Sequence, residues 1–415
     1  MVAQIFKCRL CDAEKLETIV DLKQQSLSGY FPSSAETDVE AFPLILVKCA
    51  NCGLVQLQHS VSQTTLYHEN YGYRSGINTT MTNHLASLVR SIEDKLNLKD
   101  GDIVIDIASN DGTLLNSYQN KKLTRIGVDP LSENLSEYYE LGITKISQFF
   151  SEKVLTPFLD GKKAKVITSV AVFYDLERPT DFVNGIRNLL DLDGIWVLEQ
   201  SDLGSMIESN SFDTICHEHL EYYSLSVINN LLKQNNLRIF DAELNASNGG
   251  SHRIYACHGN SNFKTNNRVI DNLLNREYSQ KLSEIETYVE FMQRCDGEMQ
   301  KLCKFIEKEQ AKGKTFHVYG ASTKGNVLLQ YCGLGKNQIE MAADRNPRKW
   351  GCYTPGTKIP IQSEETSRNA KPDYLVVLPW HFRQEFIARE DELLKQGTSF
   401  IFPLPNFEIF SGYET

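Results

Sequence analysis

Four cysteines near the N-terminus carry the strongest chemical signal in the sequence. They form two Cys-x-x-Cys pairs, Cys8 with Cys11 and Cys49 with Cys52. Each pair places two thiolates on one tight turn, and two such turns can close a tetrahedron around zinc with no open coordination position. We therefore predict a structural zinc site here rather than four unrelated cysteines. A zinc ribbon that binds nucleic acid is the rival interpretation.

A second dense group of reactive side chains lies between Asp213 and Tyr223. It reads Asp-Thr-Ile-Cys-His-Glu-His-Leu-Glu-Tyr-Tyr and includes Glu218 and His219. A His-x-His pair can bind a metal, but a catalytic zinc site needs a third ligand, and imidazole also suits proton transfer near neutral pH. Catalysis is therefore predicted for this stretch, with a structural hydrogen bond as the simpler role for a single histidine.

A strand, a turn of small residues and a helix start are predicted between Ile103 and Leu114. Small residues let a backbone pass close to a ligand, and a helix start presents free amide groups. Asp129 ends the next strand, where a carboxylate can accept hydrogen bonds from both hydroxyls of a ribose. The turn has the single glycine Gly112, so the NAD fingerprint is absent, and Asp106 suits a cationic ligand. The pattern favours S-adenosylmethionine over an ordinary strand–helix turn.

The elements that must position these groups alternate between strands and helices. The predicted strands are Ile103–Ile107, Arg125–Val128, Ala164–Thr168, Gly194–Glu199, Leu237–Glu243 and His252–His258. With a helix predicted at Thr180–Leu190, this alternation is typical of a parallel sheet with helices on both faces. The last two strands are expected to form an antiparallel edge.

A mostly helical stretch over 265–312 is predicted to lead into a second α/β unit. Its apolar stripe, which includes cysteine and methionine, indicates core packing. The second unit begins with a strand at Thr315–Tyr319 and the turn Gly320–Gly325. Further strands are predicted at Ile339–Asp344, Tyr374–Leu378 and Ser399–Phe402.

Composition limits the classes of function. The chain has 415 residues, which indicates two or three domains at about 100–200 residues each. Its net charge is -10, so binding to nucleic acid or to an anionic membrane is not expected. No apolar run is long enough to span a bilayer, and the N-terminus lacks an apolar signal core. A cytoplasmic protein with reduced thiols is expected.

Together these motifs resemble the sugar C-methyltransferase family of deoxysugar biosynthesis. The two cysteine pairs are followed by Tyr-x-Tyr-x-Ser at 71–75, and the middle of the chain has Asp-x-x-Ser-Asn-Asp-Gly at 106–112 and His-Glu-His at 217–219. Three more family motifs lie at Val318–Asn326, Ala343–Gly351 and Pro355–Ile361. The resemblance covers nearly the whole chain, and the combination of motifs is highly specific.

The resemblance implies an α/β protein in three parts. They are a zinc-binding module over 1–75, a doubly wound class I methyltransferase domain that binds S-adenosylmethionine over 76–262, and a helical connector with a Rossmann-like domain over 263–415. The implied reaction methylates the carbon next to the ketone of a nucleotide-linked keto-deoxysugar. The oligomeric state stays open, with a monomer among the options.

Catalytic roles also follow from the resemblance. His219 is the implied base for the α proton, and Glu218 is implied to position the sugar. One of Tyr71 and Tyr73 lines the pocket, unless that segment is a surface loop. Because the charge of the enolate spreads onto the ketone oxygen, a base and an oxyanion partner must flank the substrate. Cys216 stands where the family often has tyrosine, which leaves the sugar and the methylated carbon open.

Several residues are assigned to the cofactor by the same comparison. Ala108 replaces the first glycine of the turn, and Gln148-Phe149 stands where an acid and an aromatic residue often contact adenine. Ala171 stands where a polar side chain is common. The full predicted cofactor set is Asp106, Ala108, Asn110, Gly112, Asp129, Gln148, Phe149 and Ala171.

Four residues are predicted at the substrate. Lys324 is the candidate for a diphosphate and Asp344 for a ribose, with a structural domain that binds no ligand as the alternative. Asn248 lies in Asn-Gly-Gly-Ser-His and is predicted to shape the sugar pocket or to make a tight turn. His381 is predicted to face the cleft or to be packing.

Two other classes of function compete with this interpretation. An NAD-dependent nucleotide-sugar oxidoreductase needs a full glycine fingerprint, which the turn Gly320–Gly325 lacks. A non-catalytic zinc-ribbon binding protein leaves Asp106, Asp129 and the cluster around His219 unexplained.

Overall fold

The described part of the protein consists of four sheets, one of them a two-stranded pair, and the helices that cover them. The structure is a computed structural model that describes residues 2–62, 66 and 74–412. Tyr71 and Tyr73 lie outside the described residues. Within the described part, no helix combines the length and the apolarity that a membrane crossing requires.

The N-terminal sheet is built around the predicted zinc module and has the order β11-β4-β3-β2. The strands of this region are β1 (Val2–Gln4), β2 (Leu16–Ser26), β3 (Ala41–Cys49), β4 (Val55–Leu57), β5 (His59–Val61) and β11 (Glu221–Tyr222). Strands β1 and β5 form a separate antiparallel pair. Strand β11 comes from the middle of the chain and pairs antiparallel with β4. The segment after His219 is therefore part of the N-terminal sheet.

The central sheet has seven strands in the order β12-β13-β10-β9-β6-β7-β8. They are β6 (Ile103–Ile107), β7 (Thr124–Val128), β8 (Thr144–Ile146), β9 (Ala164–Val170), β10 (Leu190–Ser201), β12 (Leu237–Asn245) and β13 (Ser251–His258). Strands β6 to β10 pair parallel, whereas β13 is antiparallel to both β10 and β12. The predicted parallel sheet with an antiparallel edge is confirmed.

Hydrophobic pattern explains these elements. All five residues of β6 are buried, as expected for a parallel strand covered on both faces. Helix α1 (Thr79–Lys95) buries Leu85, Leu88, Val89 and Ile92, which form one stripe at helical spacing. The other helices of this unit are α2 (Thr113–Asn116), α3 (Glu152–Leu155), α4 (Pro179–Leu189), α5 (Leu203–Glu208) and α6 (Leu225–Gln234).

The C-terminal sheet has the order β16-β15-β14-β17-β18-β19. Its strands are β14 (Phe316–Tyr319), β15 (Met341–Asp344), β16 (Ile361–Ser363), β17 (Tyr374–Val377), β18 (Ser399–Phe402) and β19 (Glu408–Phe410). Helix α7 (Asn267–Ser279) packs on β12 of the central sheet, whereas the helices of the C-terminal unit are α8 (Ile285–Gln310), α9 (Thr323–Cys332), α10 (Glu364–Ala370), α11 (Arg383–Arg389) and α12 (Asp391–Lys395). The first five strands are parallel and β19 is antiparallel, which confirms a second α/β unit.

One apolar core joins the N-terminal sheet to the C-terminal unit. It contains Val20 and Leu46 from the first, Phe291 from α8, and Val318 and Val376 from the C-terminal sheet. The buried stripe of α8 confirms that its cysteine and methionine residues are core packing. The N-terminal sheet and the C-terminal unit are consequently held together by a shared apolar core and not only by the chain that connects them.

Candidate active site and zinc centre

The four predicted zinc ligands meet at one point. Their sulfur atoms all lie within 4.8 Å of one another. The Sγ atoms of Cys8 and Cys52 are 3.6 Å apart, as are those of Cys11 and Cys49. A tetrahedron with zinc–sulfur bonds of about 2.3 Å has edges of about 3.8 Å, so the cluster fits a zinc ion with four thiolate ligands.

Amide groups of neighbouring residues surround this cluster. The side-chain Nε2 of Gln56 donates to Cys8 Sγ at 3.2 Å, and Asn51 Nδ2 donates to Cys11 Sγ at 3.5 Å. Donors of this kind stabilise thiolates and orient the ligands. The sequence reasoning missed both, because an amide side chain near a cysteine pair has no distinctive spacing.

A cavity of about 260 Å³ opens at the carboxyl ends of β6, β7 and β9. In doubly wound folds this edge of the sheet is where ligands bind. Six of the eight residues predicted for the cofactor line it, namely Asp106, Ala108, Asn110, Asp129, Phe149 and Ala171. Gly112 and Gln148 are not among the lining residues, and Gln148 is exposed.

Asp106 is buried near the end of β6, and the pKa of its carboxyl is raised. Thr168 Oγ1 donates to Asp106 Oδ1 at 2.6 Å. Burial raises the pKa of this carboxyl to about 7, against the opposing effect of Thr168, and the nearby Asp129 adds to the rise. A cation bound in the cavity would therefore favour the ionised form of the Asp106 carboxyl.

Asp129 at the end of β7 is held by backbone amides. The backbone N–H of Leu131 donates to its Oδ1 at 2.7 Å, and that of Asn110 donates to its Oδ2 at 3.0 Å. Burial raises the pKa of this carboxyl, and the two amides oppose the rise. Each oxygen keeps a lone pair for another donor, such as a ribose hydroxyl.

The turn between these acids has a left-handed backbone at three positions. The φ angles are 58° at Ala108, 50° at Asn110 and 74° at Gly112. A Cβ atom at Gly112 would lie 2.6 Å from the ring of Tyr139, so glycine is required there by space as well as by φ. Gly112 thus shapes the turn without lining the cavity.

The start of α1 covers the cavity and is tied to the same turn. The backbone N–H of Ser75 donates to Asn110 Oδ1 at 3.0 Å, and that of Gly76 donates to Asp111 Oδ2 at 2.8 Å. Met81 of α1 also lines the cavity. Sequence reasoning missed this role of Asp111, because only the fold brings 75–76 next to it.

His219 is oriented by one backbone carbonyl. Its Nδ1 lies 2.9 Å from the carbonyl oxygen of Thr214, which can only accept, so Nδ1 carries the hydrogen and Nε2 keeps a lone pair. Burial and, to a smaller extent, the ammonium of Lys324 together lower the pKa of the imidazole to about 3. Tyr174 packs on the ring with centroids 4.4 Å apart, and its neighbour Asp175 lines the cofactor cavity.

The other histidine of the His-x-His pair lies against a different element. A ring nitrogen of His217 is 3.4 Å from the backbone oxygen of Phe42, and burial lowers the pKa of the imidazole to about 4. Within the described residues, the cysteine cluster is the group of three or more ligands that could hold a metal. The two histidines of the pair therefore contact different parts of the structure and do not converge on one point.

Glu218 is buried beside the N-terminal region. Ser28 Oγ donates to Glu218 Oε2 at 3.5 Å, and a Cβ atom at Gly29 would lie 2.6 Å from Glu218 Oε1. Burial raises the pKa of this carboxyl. Cys216 is also buried, and its backbone N–H donates to the hydroxyl of Tyr222 at 3.3 Å. A tyrosine hydroxyl is therefore present near the position where the resemblance expected one.

Lys324 connects the C-terminal unit to the cofactor cavity. Its Nζ donates to the backbone oxygen of Asn248 at 3.0 Å, and Asn248 lines that cavity. Burial lowers the pKa of Lys324, while the carboxyl of Asp213 opposes the change. Burial and the charge of Lys324 also lower the pKa of His381 to about 3. These residues come from distant parts of the sequence and share one region beside His219.

Asp344 repeats the geometry of Asp129 in the C-terminal unit. The backbone N–H of Ala321 donates to its Oδ2 at 2.9 Å, and that of Asn346 donates to its Oδ1 at 2.8 Å. In both units, one carboxylate oxygen thus accepts a hydrogen bond from a backbone N–H in the turn after the neighbouring strand. The other oxygen accepts from the backbone N–H of the residue two positions later in the sequence. This is the arrangement that a ribose-binding acid has in a nucleotide-binding fold.

Comparisons with known proteins agree with this geometry. Family models match the chain as a zinc binding domain over residues 8–67, a methyltransferase domain over 78–242 and a C-methyltransferase C-terminal domain over 246–405. The curated protein C-methyltransferase NovU of Streptomyces niveus is 30% identical over 419 residues, which cover 100% of this chain and 99% of that protein.

Solved structures resemble a smaller part of the chain. An S-adenosylmethionine-dependent methyltransferase from Clostridium acetobutylicum ATCC 824 is 15% identical, with a TM-score of 0.35, over 43% of this chain and 92% of its own. Magnesium protoporphyrin IX methyltransferase from Synechocystis PCC 6803 is 16% identical, with a TM-score of 0.34, over 44% and 88%. The full-length match and the three family models show that the chain belongs to the S-adenosylmethionine-dependent C-methyltransferases with an N-terminal zinc-binding domain.

Proposed function

We propose that the substrate is a nucleotide-linked keto-deoxysugar, methylated on the carbon next to its ketone by way of an enolate. The observation that carries this proposal is the neutral imidazole of His219, which is fixed through Nδ1 by Thr214 and packs on Tyr174, whose neighbour in sequence, Asp175, lines the cofactor cavity. NovU, a C-methyltransferase, is similar over its full length and supports transfer to carbon.

The surroundings of His219 keep its imidazole neutral at rest, so that it is protonated only transiently. A lowered pKa keeps the imidazole neutral at physiological pH, so Nε2 has a free lone pair, but it also weakens the imidazole as a base, so deprotonation has to be helped by stabilisation of the enolate. The nearby ammonium of Lys324 disfavours the imidazolium but favours negative charge on a substrate. In this scheme His219 takes the proton, whereas Lys324 stabilises the negative charge of the enolate.

The chain's own residues position the two reactants. Asp129 is assigned to the ribose of the cofactor, Asp106 to its cationic end, and Phe149 to its adenine. S-adenosylmethionine, when bound, supplies the methyl group. Glu218 is assigned to the sugar and one of Tyr71 and Tyr73 to the pocket wall. Proximity of an enolate to the donor then accounts for transfer in line.

The nucleotide is assigned to the C-terminal unit. The turn Gly320–Gly325 leads into α9, whose first N–H groups suit a diphosphate. Asp344 is placed to accept from a ribose, as Asp129 is in the central unit. Lys324, Asn248 and His381 are assigned to the sugar and diphosphate between these two sites.

A methyl-transfer assay with a panel of nucleotide-linked sugars tests the proposal. Keto sugars should gain one methyl group on the carbon next to the ketone, as located by NMR, whereas the corresponding alcohols should not react. In parallel, S-adenosylhomocysteine should raise the melting temperature, and NAD and RNA should not. Methylation of an oxygen atom, or equal turnover of alcohols, would contradict the proposal.

A further inference from the structure

A small second cavity touches His219, which is not among the residues that line the cofactor cavity. Its volume is about 10 Å³, which is the room that one water molecule needs. It is lined by Tyr174, Ser201, Asp202, Leu203, Met206, Thr214, His219, Glu221 and Tyr222. Most of these residues offer a polar atom, so a single water there would have partners on several sides.

Glu221 is the member of this lining whose hydrogen bonding is least complete. Its side chain is 0% exposed, and within the described residues neither carboxylate oxygen has a partner at ordinary hydrogen-bond distance, although the backbone N–H of Leu176 is near enough to lower its pKa. The nearest cation is Arg9, whose Nε lies 4.0 Å from Oε1. Leaving such a group unpaired costs free energy, so a buried acid at this position needs an explanation.

The backbone holds Glu221 firmly in place. Glu221 pairs with Gln56 across β11 and β4, and the backbone N–H of Leu57 donates to the oxygen of Leu220 at 2.8 Å. The carboxyl therefore stays fixed two residues from His219, against the small cavity. A role that depends on a constant distance to the imidazole is compatible with this rigidity.

A route to solvent leads on from Glu221. Arg9 has a side chain only 2% exposed, and its Nε lies 3.3 Å from Oε2 of Glu177, whose side chain is 44% exposed. Burial raises the pKa of Glu221, Arg9 opposes that rise, and the acids Asp175 and Glu177 add to it. A carboxyl group can accept a proton on one oxygen and release a proton from the other.

We propose that Glu221 relays to solvent the proton that His219 removes from the substrate. The inference rests on the proposed function, in which His219 is the base. The C–H bond breaks, its electron pair moves into the enolate, and the proton binds His219 Nε2. The N–H bond then breaks towards a water in the small cavity, and that water gives a proton to one oxygen of Glu221. The proton of the carboxylic acid is then released from the other oxygen to a solvent water, so Glu221 returns to its starting state and charge and atoms balance.

The energetics of the site favour early release of the proton from His219. Burial and Lys324 make a persistent imidazolium costly, so the proton is expected to leave His219 soon after it arrives. Without an exit it returns to the enolate carbon and no exchange with solvent occurs. Glu221 is a positioning residue in this scheme, since it acts through His219 and does not touch the substrate.

Two rates measured on the full chain separate a relay from a structural role. The first is the exchange of deuterium from heavy water into the substrate carbon without S-adenosylmethionine. The second is single-turnover methyl transfer, which needs no proton release. In Glu221→Gln the amide cannot relay, so exchange should fall at least about tenfold, while single-turnover transfer stays within about threefold of wild type.

Matched variants guard against a general folding effect. Glu221→Asp keeps an acid at the same site and should restore part of the exchange. Glu277→Gln changes another buried carboxyl, which accepts from the backbone N–H of Ser226 at 3.0 Å, and should leave the ratio of the two rates unchanged. Melting temperature and S-adenosylhomocysteine affinity verify that each variant is folded.

The outcomes distinguish the relay from the proposed function. A parallel loss of both rates in Glu221→Gln, or no loss of exchange, would overturn the relay while wild-type exchange still supports His219 as a base. Wild-type protein that methylates without any exchange would overturn the relay, whereas full methyl transfer by a folded His219→Asn protein would overturn the base assignment.

Discussion

Asp106 and Asp129 carry the same side chain at the ends of neighbouring strands, but their surroundings give them different properties. Asp129 accepts two backbone N–H groups, which fix its orientation. Asp106 accepts from Thr168, and burial brings its pKa to about 7. We infer that Asp129 recognises a neutral sugar, whereas Asp106 responds to charge.

The affinity for S-adenosylmethionine should depend on pH through Asp106. A sulfonium favours the ionised carboxylate, so affinity should rise as pH increases through about 7 and fall below it. S-adenosylhomocysteine has a neutral sulfur and should show a weaker dependence. Asp106→Asn should remove the difference between the ligands. Calorimetric titration over pH 6–8 measures this, and equal pH profiles for both ligands in the wild type would contradict the assignment.

The residue types and their order could be predicted from the sequence, but their protonation could not. Asp106 and Asp129 each end a run of apolar residues, which is a local signal. The pKa values depend on burial by segments such as 74–85 that pack over them from elsewhere in the chain. The tautomer of His219 likewise depends on the Thr214 carbonyl, which no spacing rule identifies.

At the scale of elements, the segment that leads into helix α1 and the first half of the helix are both fastened to other parts of the central unit. Its entry segment binds the turn through Asn110 and Asp111. Further along, His84 Nε2 pairs with the buried carboxylate of Glu199 at the end of β10, and Arg253 Nε also binds that carboxylate at 2.5 Å. Movement of α1 should therefore change the shape of the cofactor cavity.

Substitution at Gly76 tests this coupling. A Cβ atom there would lie 2.7 Å from Asp111 Oδ2, so Gly76→Ala should push the start of α1 away from the turn at a cost of about 1–3 kcal/mol. We expect weaker binding of S-adenosylhomocysteine by isothermal calorimetry. The control is Gly297→Ala in α8, where an added Cβ meets nothing within 4 Å and should leave binding unchanged. Unchanged binding in Gly76→Ala would show that α1 does not shape the cavity.

The zinc centre is joined to the catalytic segment by a sheet. Gln56 donates to the ligand Cys8 and, as a residue of β4, pairs with Glu221 of β11. The metal therefore supports the strand that follows His219. Its predicted role is structural, because four thiolates leave no open position for a reactant.

Loss of one thiolate should weaken both metal binding and folding. Cys8→Ser should lower zinc content, measured by mass spectrometry, and the melting temperature, because metal binding and folding are coupled. Methyl transfer should fall in proportion to the folded fraction. A variant that kept its zinc and its stability but lost methyl transfer would indicate a direct chemical role for the metal.

Elements with a local signal were predictable, and those formed by distant pairing were not. Strand β6 occupies the predicted Ile103–Ile107 because an apolar run ends at a turn of small residues. Strand β10 begins earlier than the predicted Gly194, at Leu190, with an irregularity in its pairing before Ile195. Strand β11 has two residues and exists because β4 pairs with it, so no local pattern could reveal it.

At the scale of the whole molecule, the substrate region is assembled from all three parts. Ser28 of the N-terminal region reaches Glu218, and Lys324 of α9 reaches Asn248 of the central unit. Asn326 Nδ2 also donates to the backbone oxygen of Ser28 at 2.7 Å. The division at 1–75, 76–262 and 263–415 remains a proposal, and these contacts make independent activity of any one part unexpected.

Lys324 offers a test of this assembly. Lys324→Met keeps the length of the side chain and removes its charge, so affinity for the anionic substrate should fall. We expect KM for the nucleotide-linked sugar to rise by about tenfold or more, with unchanged affinity for S-adenosylhomocysteine. A loss of cofactor affinity with an unchanged KM would place Lys324 at the cofactor instead.

The central claim is that His219 removes a proton from the carbon next to the ketone. Exchange of deuterium into nucleotide-linked keto sugars without S-adenosylmethionine, followed by NMR, tests it most directly by comparing wild type with His219→Asn. We predict exchange at one carbon in the wild type and none above background in the variant, with S-adenosylhomocysteine affinity retained. Exchange at the wild-type rate in a folded His219→Asn protein would contradict the claim.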